Sequence, residues 1–162
     1  MFQDFKMGPE AKKMFLLGFK AQMEGRLEEA IDYYQQSLDL EETAEAYTFL
    51  GWTYSYMGLF EKAIDECKKA IDIDPDFGNP YNDIGSYLIQ LQRPDEAIGW
   101  LQQAKEAPRY QTPEYAYCNT GKALEQKRLW PLALREYQEA LRLRPGYEPA
   151  QQAIEELNRR LN

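Results

Sequence analysis

The side chains of this chain that could act on another molecule are rings and amides rather than nucleophiles. Phe15 and Phe19 stand four residues apart, Phe49 and Trp52 three apart, and Trp52 and Tyr56 four apart. On a helix these spacings put each set on one face. Leaving an apolar ring in water forfeits about 1.5–3 kcal/mol, and several together form a patch of the kind that marks a binding site. The chemistry on offer is non-covalent capture of an apolar segment. Bond-making chemistry finds no comparable set. The sequence has no His, which removes the commonest general base and the commonest metal ligand. Its two cysteines, Cys67 and Cys118, make neither a disulfide framework nor a structural zinc site. The acidic pairs Glu28-Glu29, Glu41-Glu42 and Glu155-Glu156 are adjacent, so their carboxylates point in different directions on a helix. No Gly-rich phosphate loop or nucleophile elbow occurs. The expectation is a protein that is not an enzyme and that uses no metal and no cofactor.

A repeat must position these rings. A Gly is followed twelve residues later by Ala, and seven further on by a small residue, four times over: Gly18/Ala30/Ser37, Gly51/Ala63/Ala70, Gly85/Ala97/Ala104 and Gly121/Ala133/Ala140. A period of about 34 residues is that of stacked helical hairpins. Gly inside a helix costs about 1 kcal/mol relative to Ala, so four in one register need a packing reason. Antiparallel helices about 8–10 Å apart supply it. The pattern places Gly51 against Ala63 of the second helix and Ala70 against the next hairpin.

Start and stop signals then predict helices over about 9–23, 27–40, 43–57, 60–73, 79–91, from 94, over 112–127, and from about 131 to before Pro145. Pro94 and Pro131 suit first-turn positions. Gly25 and Gly58 sit at hairpin turns, where a left-handed cap fits. Residues 107–113, with Pro108 and Pro113, read as a surface loop. Ala150, Ile154, Leu157 and Leu161 recur at helical spacing and predict a final helix that covers the core of the last hairpin. For residues 1–8 three placements stay open: Phe2, Phe5 and Met7 lengthen the first helix, fold over an open face, or are disordered.

The positions around each Gly resemble the tetratricopeptide repeat. Four before it stand Met14, Tyr47, Tyr81 and Tyr117, and one before it Leu17, Leu50, Ile84 and Thr120. Three after it stand Ala21, Tyr54, Leu88 and Leu124, nine after it Leu27, Phe60, Pro94 and Trp130, and sixteen after it Tyr34, Cys67, Leu101 and Tyr137. Pro75 and Pro145 close two repeats where the family usually has a proline, while Met14, Thr120 and Pro94 depart from its pattern. The resemblance implies an all-α solenoid of four hairpins in a right-handed superhelix. Its repeats would span 11–43, 44–77, 78–113 and 114–147, after an extension at 1–10 and before a capping helix at 148–162.

In the family the first helix of each hairpin lines a concave groove. Carried onto this chain, that places Phe15, Phe19, Phe49, Trp52 and Tyr56 on an aromatic half, and Asn82, Ser86, Asn119 and Lys122 on a polar half. The implied function is a scaffold or adaptor that takes a partner peptide or helix. The rings would anchor it, and Asn82, Asn119 and Lys122 would hold its backbone or a carboxylate. The Lys–Asn clamp by which some co-chaperones of the family grip an acidic C-terminus is not expected, because Phe15, Phe19 and Phe49 occupy its places. Tyr33 and Trp100 fall on the usual outer face and read as ordinary exposed rings.

The formal net charge of −8 is uneven. Residues 1–77 carry sixteen acids against eight bases, and residues 78–162 carry eleven of each. This balance disfavours a nucleic-acid partner. No apolar run is long enough for membrane insertion, and the first residues lack the pattern of a secretory leader. A protein partner, a cytoplasmic location and a monomer or weak homo-oligomer are expected. The alternatives are a module that stacks end to end and, least favoured, an accessory domain of an enzyme.

Overall fold

Prolines and small polar residues set where the helices begin. The computed structural model describes residues 2–162, and among them nine helices follow one another. They are α1 (Pro9–Met23), α2 (Leu27–Leu40), α3 (Ala44–Tyr56), α4 (Phe60–Ile73), α5 (Asn79–Gln90), α6 (Pro94–Glu106), α7 (Pro113–Gln126), α8 (Trp130–Leu143) and α9 (Glu148–Leu161). A proline occupies the first or second position of α1, α5, α6, α7, α8 and α9, where its missing N–H has no helical partner to lose. The Thr43 hydroxyl accepts from the Ala46 N–H (3.3 Å) and caps α3. The turn inside each hairpin needs one left-handed residue. Gly25 and Gly58 supply it without strain at φ 76° and 74°. Gln92 and Arg128 adopt the same conformation in the third and fourth hairpins, at φ 57° and 60°, at a cost of about 1 kcal/mol each.

The hairpins α1–α2, α3–α4, α5–α6 and α7–α8 close because of the repeated Gly. A methyl group on Gly18, Gly85 or Gly121 would lie 2.9, 2.5 or 2.5 Å from the side chain sixteen residues on: Tyr34, Leu101 and Tyr137. These side chains are fully buried and lie across the bare helix backbone. In the second hairpin the residue at that place is the smaller Cys67. There the Ala63 carbonyl of the opposite helix lies 2.9 Å from where the methyl of Gly51 would be, with the Cys67 Sγ at 3.2 Å. The expected Gly51–Ala63 contact is therefore real, but in the other three hairpins a side chain fills the gap. Ala70 packs with Ala44 of its own hairpin and with Phe77 of the linker that follows.

Each hairpin packs on the next through α2–α3, α4–α5, α6–α7 and α8–α9. The first helices also touch one another, α1 to α3, α3 to α5 and α5 to α7, whereas the second helices make no comparable contact. The layer whose members touch is the shorter one, so the array bends toward it. This is an all-α solenoid of the tetratricopeptide type, with the odd-numbered helices on the inner wall. Helix α9 buries Ala150 and Leu157 against the last hairpin, while Leu161, expected on the same stripe, is exposed. Tyr33 and Trp100 are half-buried rather than exposed: Tyr33 packs on the buried cluster around Phe15, Tyr34 and Leu50, and the Trp100 ring lies 6.0 Å from Tyr81.

Two glycines separate packing from propensity. Gly85→Ala drives a methyl into Leu101 and is expected to lower stability by roughly 1–3 kcal/mol. Gly99→Ala, on the open side of α6 with nothing within 4 Å, is expected to raise it by up to about 1 kcal/mol. Urea-unfolding midpoints of the two variants check both signs.

Candidate functional site

The inner wall carries a ladder of aromatic rings at its N-terminal half. Ring centroids run from Phe15 to Phe49 at 5.0 Å, from Phe49 to Trp52 at 5.5 Å and from Trp52 to Tyr56 at 5.4 Å, with Phe19 5.9 Å from Phe49. Successive turns of α1 and α3 set this spacing, and the α1–α3 contact joins the two helices into one surface. Phe15 was expected on the open wall, but it is fully buried. The rings of Phe2 and Phe5 fold back over it at 5.4 and 5.5 Å. Phe2 also covers Phe19 (4.8 Å) and reaches Phe49 (6.0 Å). Of the three placements open for residues 1–8, the structure therefore shows folding over the open face, with Met1 outside the described residues. Trp52 and Tyr56 lie beyond this cover, and Tyr56 is 52 % exposed.

The other half of the wall is polar. The Asn119 amide donates to the Asn82 side-chain oxygen at 3.0 Å, joining α7 to α5. The Gln126 amide donates to the Ile89 carbonyl at 2.9 Å, two turns further along. Asn82 is buried and Ser86 half-buried, while Lys122 is exposed and makes no ion pair among the described residues. Such a wall can hold an apolar segment at one end and a carboxylate or a peptide backbone at the other. Asp83 is half-buried beside Asn82. Burial pushes its carboxyl up to about 7, against a weaker downward pull from the Asn82 amide. Both thiols are buried and unpaired with each other, and burial raises both.

Acidic groups border the aromatic end, and sequence spacing gave no hint of them. Glu45 is 2 % exposed at the start of α3. Its cation comes from Arg109, in the connection between α6 and α7, whose guanidinium donates to Glu45 (3.3 Å) and to Asp74 (2.6 Å). Arg109 also stacks over Phe77 at 4.3 Å, its N–H donates to the Asp76 carbonyl, and its carbonyl accepts from Gly78. The connection expected as a plain surface loop is thus pinned across two repeats. The reason is that the buried Glu45 carboxylate needs a partner.

Asp83 makes stability depend on pH. The native state keeps a proton that the unfolded chain, with an ordinary carboxyl near 3.8, releases between that pH and about 7. The contribution is present in full below that window, fades as pH rises through it and is flat above. Asp83→Asn is expected to flatten this decline, raising stability near neutrality by on the order of 2 kcal/mol relative to acid conditions. Urea unfolding of both proteins across the window measures it.

Comparison with known proteins adds to this geometry. A family model described as the tetratricopeptide repeat matches residues 44–77, and a second of the same description matches residues 23–43. The photosystem I assembly protein Ycf3 of Synechococcus sp. (strain CC9311) is 32% identical over 106 residues, covering 59% of this chain and 61% of that protein. The small glutamine-rich tetratricopeptide repeat-containing protein 2 of Mycosarcoma maydis is 32% identical over 78 residues, covering 48% and 22%. The chain thus spans less than two thirds of the curated relatives it matches. Among solved structures, PilW, a type IV pilus biogenesis factor, superposes with a TM-score of 0.82 at 23% identity, over 88% of this chain and 66% of that one. MamA superposes with a TM-score of 0.74 at 26% identity, over 93% and 82%.

Proposed function

Because the chain belongs to the tetratricopeptide-repeat family, a class of protein-interaction scaffold, we propose that its concave wall binds a segment of a protein partner. The observation that carries this reading is the aromatic ladder continuing past its own cover. Tyr56 is exposed and Trp52 half-buried beyond that cover, and Lys122, exposed and without an ion pair among the described residues, would stand further along the same wall. Exposed rings beside a polar strip are the usual make-up of an interface anchor and its rim. Asn119 and Lys122 would meet the partner's backbone or a carboxylate, while Asn82 and Ser86 support them from within the wall. The names of the relatives, among them an assembly protein and a biogenesis factor, agree with an adaptor or assembly role. Among the described residues no helix is long and apolar enough to cross a membrane. The two free thiols fit a reducing compartment, which is the basis for reading the protein as cytoplasmic.

A displayed library of random twelve-residue peptides, selected on the full chain, tests the groove. Enriched peptides should lose at least about tenfold in affinity on Trp52→Ala, roughly the loss of one aromatic anchor, and several-fold on Lys122→Glu. Ligands that bind both variants as well as the parent would place the interaction elsewhere.

The second reading, stacking of copies end to end, has support at one end. The outer face of α1 leaves Leu16 exposed beside Leu17, Lys12, Lys13 and Lys20, whereas α9 covers the other end. Sedimentation equilibrium over a hundredfold range of concentration, taken as roughly the span that separates weak pairing from none, decides it. A monomer throughout is the expected result and removes stacking.

A further inference from the structure

Residues 2–8 sit in the groove as a ligand would. They form no helix. A turn at Gln3-Asp4 is closed by the Phe5 N–H on the Phe2 carbonyl (3.4 Å), and the chain then runs without regular structure to Gly8. Phe2, Phe5 and Met7 turn toward the wall, while Gln3, Asp4 and Lys6 stay exposed. The two phenyl rings meet Phe15, Phe19 and Phe49 edge-on, at 4.8–6.0 Å. The polar contacts reach across three repeats. The Lys6 N–H donates to Glu45 (3.3 Å), the Gly8 N–H to Glu41 (2.6 Å), and the Gln111 amide to Asp4 (3.2 Å). The Lys6 ammonium lies 3.7 Å from Asp74. Nothing in this set requires the covalent link at Pro9. Rings enter an apolar wall, main-chain amides meet acidic side chains, and one cation faces an acidic border.

We propose that residues 2–8 are an internal competitor, and that the partner segment taken at this end of the groove has the same chemistry: two aromatic side chains three residues apart, followed by a basic residue, in a non-helical conformation. The proposal rests on the reading that the concave wall binds a partner. Charge supports the basic residue, because Glu41, Glu45 and Asp74 gather there within a half-chain that carries twice as many acids as bases. A tethered segment acts at an effective concentration on the order of millimolar. The intact chain therefore binds such a partner more weakly, in proportion to the fraction of molecules whose tail is out. Trp52 and Tyr56 stay uncovered and give the incoming segment its first contact.

The probe is a fluorescein-labelled peptide, Phe-Gln-Asp-Phe-Lys-Met-Gly-Pro, titrated by anisotropy into the whole 162-residue chain and its variants. Phe2→Ala/Phe5→Ala should bind it at least about tenfold more tightly than the parent does. Lys6→Glu, which keeps the buried rings and so the fold, should give a smaller gain in the same direction. Adding Phe49→Ala to the double variant should abolish the gain, and a peptide with Ala at both Phe positions should bind none of them. Equal affinity for parent, double variant and Lys6→Glu, with far-ultraviolet circular dichroism unchanged, overturns the proposal. So does equal binding of the Ala peptide. If library-selected ligands still need Trp52 while tail release changes nothing, only the internal competitor is wrong. If no ligand of any sequence depends on the wall, the groove itself is wrong.

Discussion

Each hairpin can close because one position of its first helix has no side chain. At Gly18, Gly85 and Gly121 the space left is filled by the residue sixteen further on, and at Gly51 by the backbone of the opposite helix. The distances of 2.5–2.9 Å to an imagined methyl leave no room for alanine without movement. Everything functional follows from that closeness. Tight hairpins bring α1, α3, α5 and α7 into one touching layer, and that layer puts Phe15, Phe49, Asn82 and Asn119 on a common wall. A looser hairpin would separate α1 from α3 and break the ladder of rings between them.

The wall has more apolar surface than the solenoid core can absorb. The ladder from Phe15 to Tyr56 is a second stripe on helices whose first stripe is already used between the layers. Its two ends are handled differently. Phe2 and Phe5 cover the end at Phe15 and Phe19, while the end at Trp52 and Tyr56 is left open. The acids beside it serve two roles at once. Glu45 holds the Lys6 amide and also anchors Arg109, so the contacts of the N-terminal segment and those between repeats share a carboxylate.

Periodicity carries much of this to a reader of the sequence alone. The bounds of α1, α2, α4 and α9 fall where proline, glycine and apolar spacing place them, because those signals act within one or two turns. The aromatic face was legible for the same reason. What covers it was not, since Phe2 and Phe5 meet Phe49 across more than forty residues and nothing local fixes that pairing. Arg109 is the clearer case. Its partners lie 64 and 35 residues away, and the connection that carries it has the composition of an ordinary loop. The raised carboxyl of Asp83 likewise comes from burial among neighbours that no spacing rule assembles.

The Arg109 contact changes how such an array should come apart. A solenoid held only by neighbour-to-neighbour packing frays from either end, one hairpin at a time. Here the stretch between α6 and α7, at the end of the third repeat, is also fastened by ion pairs to the start of α3 and to the residues after α4, both in the second repeat. Under tension along the superhelix, α9 and then α7–α8 are free to peel. The middle of the molecule, tied by one guanidinium to two earlier carboxylates, would yield as a block.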